Sequence, residues 1–291
     1  MLYLLAATVG SSLLVIILKI VKMQGGNATA AITVNYLVGT VLTLLFSPAA
    51  TTAPAYVAHA PWFWMSVIVG ISFMVSLVVY AVSADRSGVA ITTISGRAAM
   101  AIPVIFAFVA LGEQPTPLKI GLLAAIFVAM WLILKGSGGG RNTRAGWIAA
   151  VGLPLLVFLL NGLNDTMMQY TKRALIPDAQ DNMIFTATMF AASAVTGFVF
   201  YFFENRGRLP VPDMLSVLWG VALGVANTVC CIGILYALER MDGSVFYPLY
   251  YAGAVVISTV VGVWAFREKL SVVNYVGIVI ALVAIVLLAA L

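Results

Sequence analysis

Apolar residues fill ten long runs along the chain, separated by short segments of Gly, Pro and charged residues. A helix needs roughly 20 apolar residues to cross the hydrocarbon core of a bilayer. The first five runs predict such helices near residues 2–22, 29–46, 62–82, 89–111 and 116–134. The other five predict helices near residues 146–170, 182–203, 213–237, 244–266 and 270–291. The pattern therefore predicts an all-α integral membrane protein with ten transmembrane helices.

The two sets of runs are related to each other. At an offset of 155 residues, Gly88 aligns with Gly243, Glu113 aligns with Glu268, and the predicted helix boundaries coincide. Five helices is an odd number, so the second set enters the membrane upside down relative to the first. We therefore predict two inverted five-helix repeats, residues 1–135 and 144–291, joined by a Gly-rich linker at 136–143. Inverted repeats are typical of secondary transporters, and a chance similarity between apolar helices is the alternative.

The composition restricts the class of protein further. Hydrophobic residues make up 63% of the 291 residues and charged residues 9%, whereas soluble domains carry about 25% charged residues. The net charge of +5 is spread over short loops, so it does not indicate a nucleic-acid partner. Cys230 and Cys231 are adjacent in an apolar run, where neighbouring helical side chains diverge, and no disulfide is expected between them. No basic segment precedes Leu2, which predicts a retained first helix rather than a cleaved signal peptide.

The distribution of Lys and Arg predicts the orientation in the membrane. Ten of these residues fall in the odd-numbered loops, four fall in the even-numbered loops, and one, Arg97, lies inside a predicted helix. Cytoplasmic loops carry the excess of positive charge. We therefore expect a multi-pass protein of the bacterial inner membrane with both termini in the periplasm. The second loop, Ser47 to Pro61, contains His59 but neither Lys nor Arg, as expected of a periplasmic loop.

Two related stretches resemble a known family. They are Gly88…Ala-Ile-Pro-Val-Ile-Phe106…Leu-Gly-Glu113…Leu-Lys-Ile-Gly121 and Tyr236-Ala-Leu-Glu…Gly243…Arg-Glu-Lys-Leu270…Tyr-Val-Gly277. Together with the ten runs, they resemble the EamA-type transporters of the drug/metabolite transporter superfamily. The resemblance implies a central cavity lined mainly by the first four helices of each repeat, with the fifth helix packed outside. Many relatives keep their termini in the cytoplasm, whereas the charges of this chain place them in the periplasm.

Arg97 is the sharpest candidate for a functional residue. It lies about nine residues into the fourth predicted helix, roughly 13 Å from the helix end. A charge at this depth costs about 2.5–3.5 kcal/mol on insertion scales, so it normally faces protein or a wet cavity. Thr93, Gly96 and Met100 share its helical face. Arg97 can clamp a carboxylate or phosphate of a substrate; the alternative is a structural Arg that pairs with carbonyls or a protein carboxylate.

The sixth helix carries a second polar stripe. Asn161, Asn164, Asp165 and Met168 follow the spacing of one helical face. On straight helices Asp165 lies nearer the periplasm than Arg97, so a direct pair is not predicted. A carboxylate within the membrane can relay protons or bind a cation. The alternative is a residue of the outer vestibule that is bonded to its helical neighbours.

Milder polar candidates lie on other helices. Asn35 and Tyr36 belong to the second helix and Asn227 to the eighth, and a buried amide has four hydrogen-bonding positions to fill. Tyr250 lies six to seven residues into the ninth helix, just after Pro248, which frees backbone groups that can line a cavity. These residues complete the predicted substrate-binding set, since aromatic walls suit an amphipathic or cationic solute. An interfacial belt or plain packing is the alternative for each.

The chain contains no Walker P-loop, GxGxxG, HExxH or CxxC motif. We therefore expect no enzyme activity, cofactor or metal site, but a secondary transporter for a small polar or amphipathic metabolite, with protons as the candidate coupling ion. Alternating access would pass through a central cavity between the repeats. A flippase for a phosphate-bearing lipid carrier and a non-transporting membrane scaffold subunit are the alternatives. Membrane lipid is the expected surrounding partner, and the protein is a monomer or a homodimer.

Overall fold

The chain is helical, and the described residues contain no β-strand. The computed structural model describes residues 1–48, 52–87, 89–136, 151–176, 178–208, 210–266 and 272–289. The first seven helices are α1 (Leu2–Met23), α2 (Ala28–Leu45), α3 (Pro54–His59), α4 (Phe63–Arg86), α5 (Val89–Ala98), α6 (Ala101–Ala110) and α7 (Pro117–Gly136). The next five are α8 (Leu153–Tyr170), α9 (Asp181–Glu204), α10 (Met214–Leu238), α11 (Gly243–Phe266) and α12 (Val272–Ala289).

Five helices are long and apolar enough in their described residues to cross a membrane: α1, α2, the Phe63–Ala84 part of α4, α9 and α10. The predicted class, an all-α membrane protein, agrees with these helices. The predicted apolar runs also coincide with helices throughout the described residues, within a few residues at each end. The number of membrane crossings and the inverted order of the repeats stay predictions.

The predicted fourth helix is not continuous, which corrects the sequence interpretation. It ends at Ala98 and resumes at Ala101. Pro103 has no N–H, so the Ala99 carbonyl cannot accept the usual bond from residue i+4. That carbonyl accepts from the Ile102 N–H at 3.0 Å instead, and the Arg97 carbonyl accepts from the Met100 N–H at 3.3 Å. The chain therefore passes through a tighter turn directly after Arg97.

Two further elements depart from the predicted pattern. The loop that contains His59 includes the short helix α3, with Pro54 at its first position, where a missing N–H costs nothing. The sixth predicted helix continues beyond Tyr170 into a π-helical turn over Thr171–Leu175. Turns of this kind often mark functional sites within helices.

The helices form two compact units, Met1–Val75 with Met167–Glu239 (unit 1) and Ser76–Thr166 with Arg240–Leu291 (unit 2). Each unit combines segments from both predicted repeats, so the boundaries of the repeats at 1–135 and 144–291 are a separate, sequence-based prediction. Of the predicted linker, 136–143, only Gly136 belongs to the described residues.

In unit 1, α10 packs against α1 and α2 through small residues. A Cβ added at Gly220 would lie 2.8 Å from the Ala31 carbonyl oxygen, and one at Gly224 would lie 2.6 Å from Val38 Cβ. Glycines four residues apart let two helix backbones approach closely, which is how membrane helices gain packing energy. The adjoining core contains Ile17, Val21, Ala31, Leu223 and Ala226.

In unit 2, α12 packs against α7, and α11 packs against α6, α7 and α12. Gly162 of α8 faces Ile102 of α6 so closely that an added Cβ would lie 2.8 Å from Ile102 Cβ. The contact between Gly162 and Ile102 and the packing of α11 against α6 hold α8 and α11 beside the helix break that follows Arg97.

Candidate functional site

Arg97 and Asp165 contact the same tyrosine in unit 2. The Tyr251 hydroxyl of α11 donates a 2.6 Å hydrogen bond to Asp165 Oδ2. The guanidinium carbon of Arg97, Cζ, lies 5.6 Å from the centre of the Tyr251 ring, within the range of a cation–π interaction. These three residues, the charged triad, join opposite charges through one aromatic side chain.

The break after α5 places Arg97 in this position. Arg97 belongs to the last turn of α5, where a cation complements the negative end of the helix dipole. A cation is stabilised there by about 0.3–1 kcal/mol in exposed helices. Arg97 therefore gains an electrostatic stabilisation from the end of α5 that a continuous fourth helix would not supply at this position.

Tyr247 fixes the other side of Asp165. Its hydroxyl donates a 2.7 Å hydrogen bond to the Asp165 carbonyl oxygen. Tyr247 is fully buried and Tyr251 is 7% exposed, so both phenols are held by packing as well as by these bonds. Because α11 supplies both tyrosines, the side chain and the backbone of Asp165 are tied to one helix.

The other predicted residues of α8 and α5 lie in the same cluster. Asn164 is buried and donates a 2.8 Å hydrogen bond from Nδ2 to Ser76 Oγ. Thr93 Oγ1 lies 3.0 Å from the Tyr80 hydroxyl. A Cβ added at Gly96 would lie 3.1 Å from Asn161 Nδ2, so glycine leaves room for this amide. The structure thus brings Thr93, Arg97, Asn161, Asn164 and Asp165 together on α5 and α8.

Tyr250 contributes an aromatic wall beside the triad. Its ring stacks on Phe246 with 5.6 Å between centroids, and it meets Tyr251 at a steep angle with 5.0 Å between centroids. Tyr250 is 8% exposed. Of the two neighbouring tyrosines, the sequence singled out Tyr250, whereas Tyr251 makes the contact with both charges.

The remaining predicted residues form a second cluster, in unit 1. Asn35 and Tyr36 of α2 are buried, and neither Asn35 Oδ1 nor the Tyr36 hydroxyl has a hydrogen-bond partner among the residues that the structure describes. Tyr36 packs on Phe190 with 5.8 Å between centroids. Asn227 Oδ1 accepts a 3.6 Å hydrogen bond from the Cys231 thiol. Buried polar groups without partners cost free energy, so this cluster retains hydrogen-bonding capacity for a ligand or water.

Sequence reasoning missed a buried ion pair in unit 1. Lys172, counted as a loop cation, is buried in the π-helical turn, where its Nζ lies 2.6 Å from Glu239 Oε1 and 3.0 Å from Asn182 Oδ1. The sequence contains part of the signal for this pair, because Lys172 and Glu239 each stand at the end of a long apolar run. Among the described residues, no three His, Cys, Asp or Glu side chains converge to hold a metal ion.

Comparisons with known proteins support the fold. No family model matches the chain. An uncharacterized protein from Haemophilus influenzae is 22% identical over 203 residues, which cover 69% of this chain. The chain spans 66% of the length of that relative, just under two thirds. A solved crystal structure superposes with a TM-score of 0.71 at 17% identity and covers 98% of both chains, so the fold recurs in an experimentally determined protein.

Proposed function

We propose that the chain is a secondary transporter of the inner membrane that moves a small polar or amphipathic metabolite. The proposal includes ten membrane-spanning helices in two inverted repeats, 1–135 and 144–291, and alternating access through a central cavity. The protein would act without enzymatic turnover of its solute. The resemblance to EamA-type transporters and the apolar character of the long helices support this class.

The observation that carries the proposal is the charged triad. Charged side chains inside membrane helices are costly, and they typically mark pathways for ions or substrates. Tyr251 contacts both Arg97 and the Asp165 carboxylate, and Tyr247 donates a hydrogen bond to the Asp165 carbonyl oxygen. Two further amides of α8 lie nearby in sequence and structure: Asn164 precedes Asp165, and Asn161 faces Gly96, the neighbour of Arg97.

Transport by purified protein in liposomes tests the proposal. Exchange of a tritiated mixture of amino acids and organic acids should exceed that of empty liposomes. Arg97→Ala should abolish the exchange, and Arg97→Lys should weaken it strongly, because an ammonium cannot reproduce two parallel hydrogen bonds. Arg208→Ala, at an exposed loop cation, serves as the matched control.

Thermal stability on the same preparations separates the functional from the structural role of Arg97. A functional Arg97 predicts that Arg97→Ala stays folded with a melting temperature close to that of the parent. If the melting temperature falls and yield drops while residual exchange matches the folded fraction, Arg97 is structural. Exchange of a labelled phospholipid, with none of the soluble solutes, would instead indicate the flippase.

A further inference from the structure

One lysine joins three helix ends in unit 1. Lys172 lies in the π-helical turn that follows α8, Asn182 lies in the first turn of α9, and Glu239 lies at the end of α10. All three adjoin even-numbered loops, which the distribution of Lys and Arg predicts to be periplasmic. We infer that these residues form a latch, the outer latch, which closes this end of unit 1 and opens during transport. The inference goes beyond the proposed solute site and rests on the proposed transport function.

The contacts of the Lys172 ammonium group close the latch. Its Nζ donates hydrogen bonds to Asn182 Oδ1 at 3.0 Å and to Glu239 Oε1 at 2.6 Å. The Lys172 side chain is 4% exposed and that of Glu239 is 27% exposed, so the pair lies where the packed interior meets the surface. Because the two partners belong to different helices, removal of this one cation releases both helix ends.

The first turn of α9 also holds the short helix α3. Asp181, the neighbour of Asn182, is buried and accepts a hydrogen bond from the Tyr56 hydroxyl. None of the residues of α3 is buried, so this bond attaches an element that contributes no buried side chain to the core. Consecutive residues of one turn thus bind α3 and the π-helical turn, and a displacement of that turn of α9 releases both segments together.

Several polar groups near the latch have no partner among the described residues. They are both amide atoms of Gln169, the Asn182 Nδ2 and the Trp62 Nε1, and all of them are buried. Gln169 lies three residues before Lys172, and the Trp62 ring packs edge-on against Phe185 of α9 with 6.0 Å between centroids. Buried polar groups without partners cost free energy, and an opening that admits water satisfies them.

Opposing contributions therefore act on the closed latch. The ion pair favours closure, whereas the unpartnered amides and the Trp62 indole disfavour it. Glu239 also ends α10, where the negative end of the helix dipole disfavours a carboxylate. Lys172 compensates that charge when the latch is closed, and water does so when it is open. Both arrangements are thus accessible, as an element that switches between two states requires.

Thiol labelling of the purified full-length protein tests the opening. A single cysteine, Thr186→Cys, is placed in a background with Cys230→Ala and Cys231→Ser. Thr186 is fully buried and lies one helical turn, about 6 Å, further along α9 than Asn182. A water-soluble maleimide therefore reaches this position only when the outer end of unit 1 opens.

Lys172→Met should raise the labelling rate at Thr186→Cys about tenfold or more, because local opening controls exposure. Lys119→Met, which removes a cation from a pair with an exposed partner, should leave the rate unchanged. A second reporter, Ser12→Cys, is fully buried in α1 and separates the latch from general stability. An equal increase at Ser12→Cys, or no increase at Thr186→Cys, overturns the inference. If Lys172→Met does not fold, Glu239→Gln provides the same test, since it leaves no buried charge without a hydrogen-bonding oxygen.

A reversible cross-link tests the role of the latch in transport. Lys172→Cys and Glu239→Cys, in the same background, are joined by a short bis-methanethiosulfonate reagent. Solute exchange in liposomes should fall about tenfold or more, because a closed gate limits turnover, and should return when a reductant cleaves the link. Undiminished exchange by the cross-linked protein overturns the latch while the transport proposal stands. If the parent protein exchanges no solute, the transport proposal fails, and the labelling rates still decide whether Lys172 holds this end of unit 1 closed.

Discussion

The Glu113 carboxylate caps the helix that begins at Gly243, 130 residues later in the chain. Its Oε1 accepts from the Gly243 N–H at 2.8 Å, and its Oε2 accepts from the Ser244 N–H at 3.0 Å. The first N–H groups of a helix have no intrahelical partners, and a negative charge there also complements the helix dipole. Glu113 thus anchors α11, the helix that carries Tyr247 and Tyr251.

Replacing Glu113 should destabilise unit 2. Glu113→Ala removes both hydrogen bonds and the charge, and we expect the free energy of unfolding to fall by about 0.5–2 kcal/mol, the range measured for helix caps. Glu113→Gln keeps one acceptor and should lose less. Thermal unfolding in detergent measures the effect. Glu204→Ala is the control, since Glu204 is exposed and accepts one long bond of 3.4 Å from Asn27; an equal loss in both variants would contradict the capping role.

The ion pair between Lys172 and Glu239 should contribute more than the pair between Lys119 and Asp242. The Lys172 side chain is 4% exposed and its Nζ lies 2.6 Å from Glu239, whereas Asp242 is 52% exposed and lies 3.5 Å from Lys119. Exposed pairs are worth about 0–1 kcal/mol, but removal of one partner of a buried pair costs about 3–5 kcal/mol. Because Glu239 is partly exposed, we expect Lys172→Met to lower the free energy of unfolding by about 2 kcal/mol, less than for a fully buried pair.

Double-mutant cycles measure both pairs by the same unfolding experiment. The cycle of Lys172→Met and Glu239→Gln should give a coupling free energy of about 1 kcal/mol or more. The cycle of Lys119→Met and Asp242→Asn should give a coupling near zero. Equal couplings would mean that burial of the Lys172 side chain does not strengthen its pair.

Most of the helices could be predicted because a helix that crosses a bilayer must be long and apolar, and such segments are visible directly in the sequence. The partners of Arg97 were not predictable. Pro103 accounts for the break in the fourth predicted helix, but the direction in which the chain turns depends on contacts such as that between Ile102 and Gly162 of α8. The choice between Tyr250 and Tyr251 depends on a rotation of α11 by one residue, which two adjacent tyrosines leave undecided. Lys172 was assigned to a loop because its run ended near Tyr170, and the π-helical turn was not foreseen.

Gly70 and Gly121 are a matched pair for testing close helix packing. A Cβ added at Gly70 would overlap the carbonyl oxygen of Met189, whereas nothing lies within 4 Å of one added at Gly121. Gly70→Ala should therefore destabilise the protein by about 1–3 kcal/mol, because the backbone of α9 must move. Gly121→Ala should be neutral or stabilise by up to about 1 kcal/mol, the helix preference for Ala over Gly. Thermal unfolding of the two variants measures both effects, and a similar change in melting temperature for both would contradict the close packing of Gly70 against Met189.

The Tyr56 side chain should sense pH through Asp181. Its hydroxyl donates a 2.5 Å hydrogen bond to Asp181 Oδ1, and this bond, with burial, raises the pKa of Tyr56 from 10.0 to about 12. Because the pKa of Tyr56 is raised in the folded state, the hydrogen bond to Asp181 contributes fully to folding stability below pH 10. That contribution is lost as the pH rises to about 12 and the phenol ionises. The difference in phenolate absorbance between the parent and Tyr56→Phe should show this late titration. A Tyr56 that ionises near pH 10 would contradict the bond.

The orientation predicted from the loop charges can be tested with single cysteines. Cys230 and Cys231 are buried, so a background with Cys230→Ala and Cys231→Ser should fold, and the new hydroxyl can still donate to Asn227. Ala55→Cys, on the exposed helix α3, should react with a membrane-impermeant maleimide in intact cells, because its loop lacks Lys and Arg. Arg208→Cys, in the loop that holds Arg206 and Arg208, should react only after lysis. The reverse pattern would place the even-numbered loops and both termini in the cytoplasm.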